Sequence, residues 1–264
     1  MDNNNPRPVK LTFLGTGTST GVPQMLCDCD VCHSSDPHDN RLRTSALIEM
    51  NDGRRILIDC GPDFRQQMLR IGCPGLDAAL LTHIHFDHVG GLDDLRPYCG
   101  NMHGAFPLYC QDDVARDIHR RLPYCFEKNT KTMVPSYEIH TVKAGHNFTV
   151  DGNIDVTPLR VMHWNLPILG YRIGPMAYIT DCRTMPTETL CALAGVDTLV
   201  INALRVKEHI SHMNLKQALD VISVVNPRRA YLTHISHGMG FHAEVDAELP
   251  MGVRLAYDGL EIEI

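Results

Sequence analysis

The chain has 264 residues, 44% hydrophobic and 21% charged, ordinary for a globular protein and enough for one large α/β domain or two small ones. Its net charge of -7 argues against non-specific nucleic-acid binding, because a phosphate polymer is met by a basic surface. No apolar run approaches the roughly 18–20 residues of a membrane span, and the opening MDNNNPRPVK lacks a secretory apolar core, so a cytoplasmic location without a membrane partner is expected.

In chain order, a first strand is predicted over Lys10–Leu14 and runs into GTGTSTG at 15–21. That Gly/Thr turn lacks the Gly-Lys-Ser/Thr ending of a nucleotide-binding loop and reads as a plain turn. Next comes Cys27-Asp-Cys29-Asp-Val-Cys32. A disulfide inside so short a string is strained, and clustered thiols in a cytosolic chain read more often as metal ligands. Cys27, Cys29 and Cys32 are therefore expected to hold a structural zinc in a segment of about 24–40, with a fourth ligand from elsewhere.

Strands over Ser45–Met50, Arg55–Asp59 and Ala78–Thr82, with a helix over Phe64–Ile71, lead to the densest element, His83-Ile-His85-Phe-Asp87-His88. Two histidines at a two-residue spacing after a strand can point the same way. Asp87 and His88 then lie where the chain turns, able to face a second ion. The bland alternative is a polar loop that happens to hold three histidines. Residues 92–148 are the least regular, carrying only a strand at Phe106–Tyr109 and a helix at Asp112–Arg121, and are expected to form a flap-like excursion over a site.

The later strands repeat one pattern. Ile154–Met162 runs into His163, Met176–Thr180 into Asp181, and Arg229–Thr233 into His234. Between them lie a helix at Thr187–Ala194, a strand at Thr198–Asn202, His209 and His212, and a helix at Leu215–Val225 capped by Asn214. A final strand covers Gly259–Ile264. Ligand-type residues at several strand ends suit a cleft built on a rigid layered scaffold. In YLTHISHGMG, residues three apart in an extended segment face opposite sides, so His234 is expected in the cleft and His237 as the fourth ligand of the cysteine site. Cys60, Cys73, Cys99, Cys110, Cys125, Cys182 and Cys191 are expected in the core, and His103, His119, His140 and His146 on the surface or flap.

His83–His88, with Asp59 upstream and His163, Asp181 and His234 downstream, resembles the metallo-β-lactamase superfamily. The Cys-x-Cys-x-x-Cys string together with His237 is similar to its PhnP-like branch. That resemblance implies a four-layer αβ/βα sandwich over a single domain, 1–264. It implies that His83, His85 and His163 bind one metal, that Asp87, His88 and His234 bind another, and that Asp181 bridges them. It makes Asp59 a supporting aspartate, and Asp87 and His212 the catalytic residues, with His212 supplying the leaving group's proton. The cofactors are then two divalent ions, zinc or manganese with iron as a third option, plus one structural zinc.

The expected function is hydrolysis of a small or cyclic phosphodiester by water that the paired ions activate. The alternatives are a tRNA 3′-processing nuclease, which the acidic balance disfavours, and hydrolysis of a thioester, lactone or β-lactam. A non-catalytic metal-bearing relative of cofactor-biosynthesis proteins is a further alternative. A diiron electron-transfer role would replace His85 by a carboxylate. A homodimer rests on base rate alone.

Overall fold

Most of the apolar runs that precede the histidines and aspartates are strands covered on both faces, which is why they read as nearly unbroken hydrophobic stretches; Ile154–His163, with Asp155 and Arg160 exposed, is the exception. The computed structural model describes residues 6–101, 104–127 and 134–264, so His103 lies outside the described residues. The strands are β1 (Pro8–Gly15), β2 (Ser45–Met50), β3 (Arg55–Ile58), β4 (Ala78–Leu80), β5 (Phe106–Cys110), β6 (Tyr137–Thr141), β7 (Phe148–Val150), β8 (Ile154–His163), β9 (Leu166–Ile173), β10 (Met176–Ile179), β11 (Thr198–Asn202), β12 (Arg229–Thr233), β13 (Val253–Leu255) and β14 (Glu261–Glu263). They form two seven-stranded sheets, ordered β14-β1-β2-β3-β4-β5-β6 and β13-β12-β11-β10-β9-β8-β7.

Alternation of side chains along each strand sorts them into three cores. Ile56, Ile58, Ala78 and Leu80 of the first sheet join Val156, Tyr171, Tyr178 and Val200 of the second in one buried cluster between the sheets. The neighbours Leu57 and Ala79 turn the other way, onto Phe64 and Met68 of α1 (Phe64–Arg70). In the second sheet Ala177, Ile179, Leu199 and Ile201 pack outward with Ala218 and Ile222 of α6 (Leu215–Val225). The order is helix, sheet, sheet, helix: a four-layer αβ/βα sandwich. Each fully buried Leu or Ile contributes about 1.5–3 kcal/mol, so the frame rests on these cores.

The shorter helices are α2 (Phe86–Val89), α3 (Arg96–Asn101), α4 (Asp112–Arg121), α5 (Thr187–Ala192) and α7 (His242–Glu248). The 92–148 segment differs from the flap-like excursion expected of it. Phe106–Cys110 and Tyr137–Thr141 are the last two strands of the first sheet, pairing in parallel, and Val114 and Ile118 of α4 are buried against that sheet. Four strands, at Tyr137–Thr141, Phe148–Val150, Leu166–Ile173 and Val253–Leu255, were not expected from the sequence. Cys73 and Cys191 are exposed rather than in the core, Cys73 because it sits at φ 54° in the turn after α1.

The topology puts the chemistry on one edge. β3 runs parallel to β4, and β10, β11 and β12 are mutually parallel. β8 and β10 both pair antiparallel with β9, so they share a direction. All of these strands therefore end on the same side. Hydrogen bonds tie the sheets together there: Leu169 N–H donates to Thr82 O at 3.1 Å and Thr18 N–H to Ile235 O at 3.0 Å. The second bond sets the Gly/Thr turn beside His234.

Candidate metal centre

Three strand-end residues leave their strands in the left-handed region: Asp59 (φ 59°), Asp181 (φ 56°) and His234 (φ 55°). Non-glycine residues are uncommon there and cost on the order of 1–3 kcal/mol when held so. The turn breaks the strand direction at once and brings the side chain over the sheet edge. Gly61 serves the same purpose next to Asp59, because a Cβ on it would lie 2.2 Å from the carbonyl oxygen of Asp87.

Asp87, His88, Asp181 and His234 meet there, fully buried, with ligand-type atoms all within 4.8 Å of one another. His88 Nε2 lies 3.1 Å from Asp87 Oδ2 and 3.3 Å from Asp181 Oδ1, and His234 Nε2 lies 3.1 Å from Asp181 Oδ1. His83 and His85 form a second group with the same Asp181, His83 Nε2 standing 3.8 Å from Asp181 Oδ2. His163 joins Asp181 and His212 in a third group rather than the His83–His85 one. Its ring is 5.0 Å from that of His85 and 4.6 Å from that of His212. Asp181 is common to all three groups.

Supporting hydrogen bonds fix which nitrogen each ring offers. Asp59 accepts from Thr82 N–H and Thr82 Oγ1–H, both at 2.8 Å, and from His88 Nδ1–H at 2.7 Å. With its hydroxyl hydrogen spent on Asp59, Thr82 Oγ1 accepts from His83 Nδ1 at 3.0 Å. His163 Nδ1 donates to the carbonyls of Ser211 at 2.9 Å and Asp181 at 3.1 Å. His83 and His163 are thereby left with Nε2 unprotonated, the form a metal ligand needs, and His88 presents Nε2 as the atom an ion would take in place of its proton. Asn202 clamps the Asp181–Cys182 turn, its Oδ1 accepting from Cys182 N–H at 2.7 Å and its Nδ2 donating to Cys182 O at 3.0 Å. Thr82 and Asn202 were not singled out in the sequence, although both stand at strand ends like the residues that were.

The electrostatics favour a cation at this point. Burial opposes charge on every group, yet the carboxylates of Asp181, Asp87 and Asp59 hold His88 well above the usual histidine range. Against the same burial, the imidazoles of His234 and His88 hold Asp181 well below the usual carboxylate range. His88 Nε2, His212 Nδ1 and both ring nitrogens of His234 are buried without a hydrogen-bond partner. Native interiors rarely leave such atoms unsatisfied. Histidine nitrogens and carboxylate oxygens suit divalent zinc, manganese or iron, so the residues fit the group they would hold. Burial draws His212 down to about 3 despite Asp181, which leaves it neutral near pH 7.

Cys27, Cys29, Cys32 and His237 form a separate cluster. His237 Nδ1 is 3.2 Å from the Sγ atoms of both Cys27 and Cys29, and Gln24 N–H points at Cys32 Sγ at 3.4 Å. The hydrogen bond to His237 draws the Cys29 thiol down to about 6, toward the thiolate a zinc site needs. His234 and His237 part company because His234 is left-handed and His237 opens a 3-10 turn, His237–Met239.

The Asp59 interactions give a specific expectation. In Asp59→Asn one acceptor oxygen becomes an N–H2 donor, so either Thr82 N–H loses its acceptor or the oxygen shared by His88 Nδ1–H and Thr82 Oγ1–H is lost. Metal affinity or activity should fall about 10–100-fold, as for other supporting partners of ligating histidines. A metal titration of the variant checks this; an unchanged affinity would show that the Asp59–His88 bond has no such part.

The sequence matches the beta-lactamase superfamily domain family over residues 54–235. The chain superposes on the crystal structure of a new diphosphatase from the PhnP family with a TM-score of 0.90 and 40% identity, covering 98% of each chain. It is 47% identical over 254 residues to the octanoyltransferase of Porphyromonas gingivalis, which is 96% of this chain and 51% of that protein. It is also 29% identical over 170 residues to ribonuclease Z of Thermosynechococcus vestitus, 62% of this chain and 36% of the relative. The chain thus spans about half the length, or less, of these two curated relatives. Among the described residues no helix is long and apolar enough to cross a membrane.

Proposed function

The chain belongs to the metallo-β-lactamase superfamily, in its PhnP-like branch, and on that premise we propose that it hydrolyses a small phosphodiester. The observation that carries this reading is the sharing of one buried carboxylate, Asp181, between the Asp87–His88–His234 group and the His83–His85 group. Two groups of donors around one carboxylate suit a pair of adjacent cations. When bound, such a pair supplies Lewis acidity toward phosphoryl oxygens and lowers the pKa of water.

In this reading Asp87, His88 and His234 would hold one ion, His83, His85 and His163 the other, and Asp181 would serve both. Asp59 and Thr82 keep the rings of His88 and His83 turned inward with Nε2 free. His212 stands on the His163 side, with Nδ1 directed at Asp181 Oδ2 from 3.9 Å. In this reading its neutral imidazole takes up the proton released by the attacking water and passes it to the departing alkoxide. The cysteine cluster is a structural zinc site in the same reading. No membrane partner is invoked, and the net charge of -7 disfavours a nucleic-acid polymer as substrate.

A diphosphate linkage is the second reading, favoured by the 40% identity to a PhnP-family diphosphatase over nearly the whole chain. The protein loaded with manganese or zinc is expected to hydrolyse bis(p-nitrophenyl) phosphate. A panel of cyclic phosphodiesters, a dinucleoside diphosphate, short RNA and an octanoyl thioester then ranks the linkages. No turnover of any phosphoester by fully metallated protein would overturn the reading, and thioester turnover alone would replace it.

A further inference from the structure

Phe86 and Trp164 are large, apolar and exposed, at 62% and 59%, beside an otherwise buried polar centre. Phe86 lies between His85 and Asp87, and Trp164 directly follows His163. The His85 and His163 rings are 5.0 Å apart, so each aromatic residue is the chain neighbour of one member of that close pair.

The backbone is built to hold both rings there. Trp164 is the first residue of the two-residue turn that joins the paired His163 and Leu166, and its φ is 52°. Asn, Asp or Gly is the ordinary occupant of such a turn, and a bulky side chain there is an outlier. Phe86 has its own allowance. A Cβ on Gly90 would lie 2.6 Å from Phe86 O and 2.8 Å from Phe86 Cε2 and Cζ, so glycine at 90 lets both the carbonyl and the ring of Phe86 pack close. Strained or cleared backbone that presents apolar rings to water points to a ligand rather than to folding.

We propose that Phe86 and Trp164 form a stacking platform at the mouth of the centre and that the substrate carries a planar aromatic group, of nucleobase type, next to its phosphoester. The proposal rests on the phosphoester reading above. An alkyl chain would gain only buried area from these rings, whereas a planar heterocycle also gains offset stacking, and every nucleobase has a π-face to offer. Trp164 and Phe86 are then specificity-determining residues, and neither takes part in the bond-breaking step.

Trp164 is the only tryptophan in the chain, so its fluorescence reports on the platform directly, with or without metal. Adenosine 5′-monophosphate is expected to quench it saturably, while ribose 5-phosphate at the same concentration leaves it unchanged. In turnover, the preference for 2′,3′-cyclic AMP over glycerol 1,2-cyclic phosphate should fall roughly ten-fold in Trp164→Ala, through KM, and largely return in Trp164→Phe. Equal response to the nucleotide and the ribose phosphate, or quenching by octanoate in place of the nucleotide, would overturn the platform. Quenching by the nucleotide from a metallated protein that hydrolyses no phosphoester would support the platform and remove the functional reading instead. Hydrolysis of both cyclic esters with equal kcat/KM and no quenching would do the reverse.

Discussion

Asp181→Asn should remove metal from the buried centre and with it the hydrolytic activity, while an ion held by the cysteine cluster should stay. Asp181 is the one residue common to the three ligand-type groups, with Oδ1 3.1 Å from His234 Nε2 and 3.3 Å from His88 Nε2. The amide keeps the shape but removes the charge and turns a donor N–H2 toward groups that also need an acceptor. Losing a supporting partner alone costs about 10–100-fold in metal affinity or activity, so losing this shared carboxylate should cost more than about 100-fold. Elemental analysis after dialysis, with the rate on bis(p-nitrophenyl) phosphate, measures it. A variant retaining full metal content and rate would remove Asp181 from the site.

The metal-free protein adds a second signature. There Asp181 is the anionic partner of buried imidazoles, and its carboxyl is held well below the usual range against burial by His234 and His88. Breaking a buried pair by removing one partner costs about 3–5 kcal/mol. A depressed folded pKa gives stability that is present above the unfolded pKa and is lost as pH falls through the folded one. The stability gap between wild type and variant should therefore narrow as pH drops below roughly 4.

Much of this centre could be read locally, because its chemistry sits in short strings at strand ends. His83–His88 is contiguous, the run ending at Asp181 announces its strand through hydrophobicity on both faces, and those ending at His163 and His234 do so mainly on one face. What escaped was set by distant partners. Leu166–Ile173 contains Pro167 and Gly170, which read as strand breakers, yet it is an interior strand bonded to both β8 and β10. Gly170 is needed there because a Cβ would lie 2.9 Å from Tyr178 O. Tyr137–Thr141 gains its place by pairing with β5 rather than from its own pattern. Thr82 and Asn202 act through hydrogen bonds to Asp59 and Cys182, more than twenty and exactly twenty residues away in sequence. The grouping of His163 with His212 likewise depends on the carbonyl of Ser211, supplied by a loop whose path the sequence does not reveal.

Cys29→Ser is expected to lower the zinc content by one ion per chain and reduce thermal stability without unfolding the protein. Cys29 Sγ lies 3.2 Å from His237 Nδ1, and its lowered pKa makes it the readiest thiolate of the cluster. A ligand present at about 1,000 times its Kd stabilises a fold by about 4.1 kcal/mol. For a chain of this size each kcal/mol moves Tm by about 2–4 °C, so the variant should melt roughly 8–16 °C lower. The three apolar cores reach this turn only through Ile235 and Met239, and hold the sandwich in its absence. Because His237 is three residues from His234, loosening this turn should also weaken the buried centre, so activity should fall less than in Asp181→Asn but measurably. A chelator supplies the control: it should lower the Tm of wild type toward that of the variant and change the variant less. Equal zinc content in the two proteins, or equal melting, would mean that these thiols do not hold the ion that ties this turn to the fold.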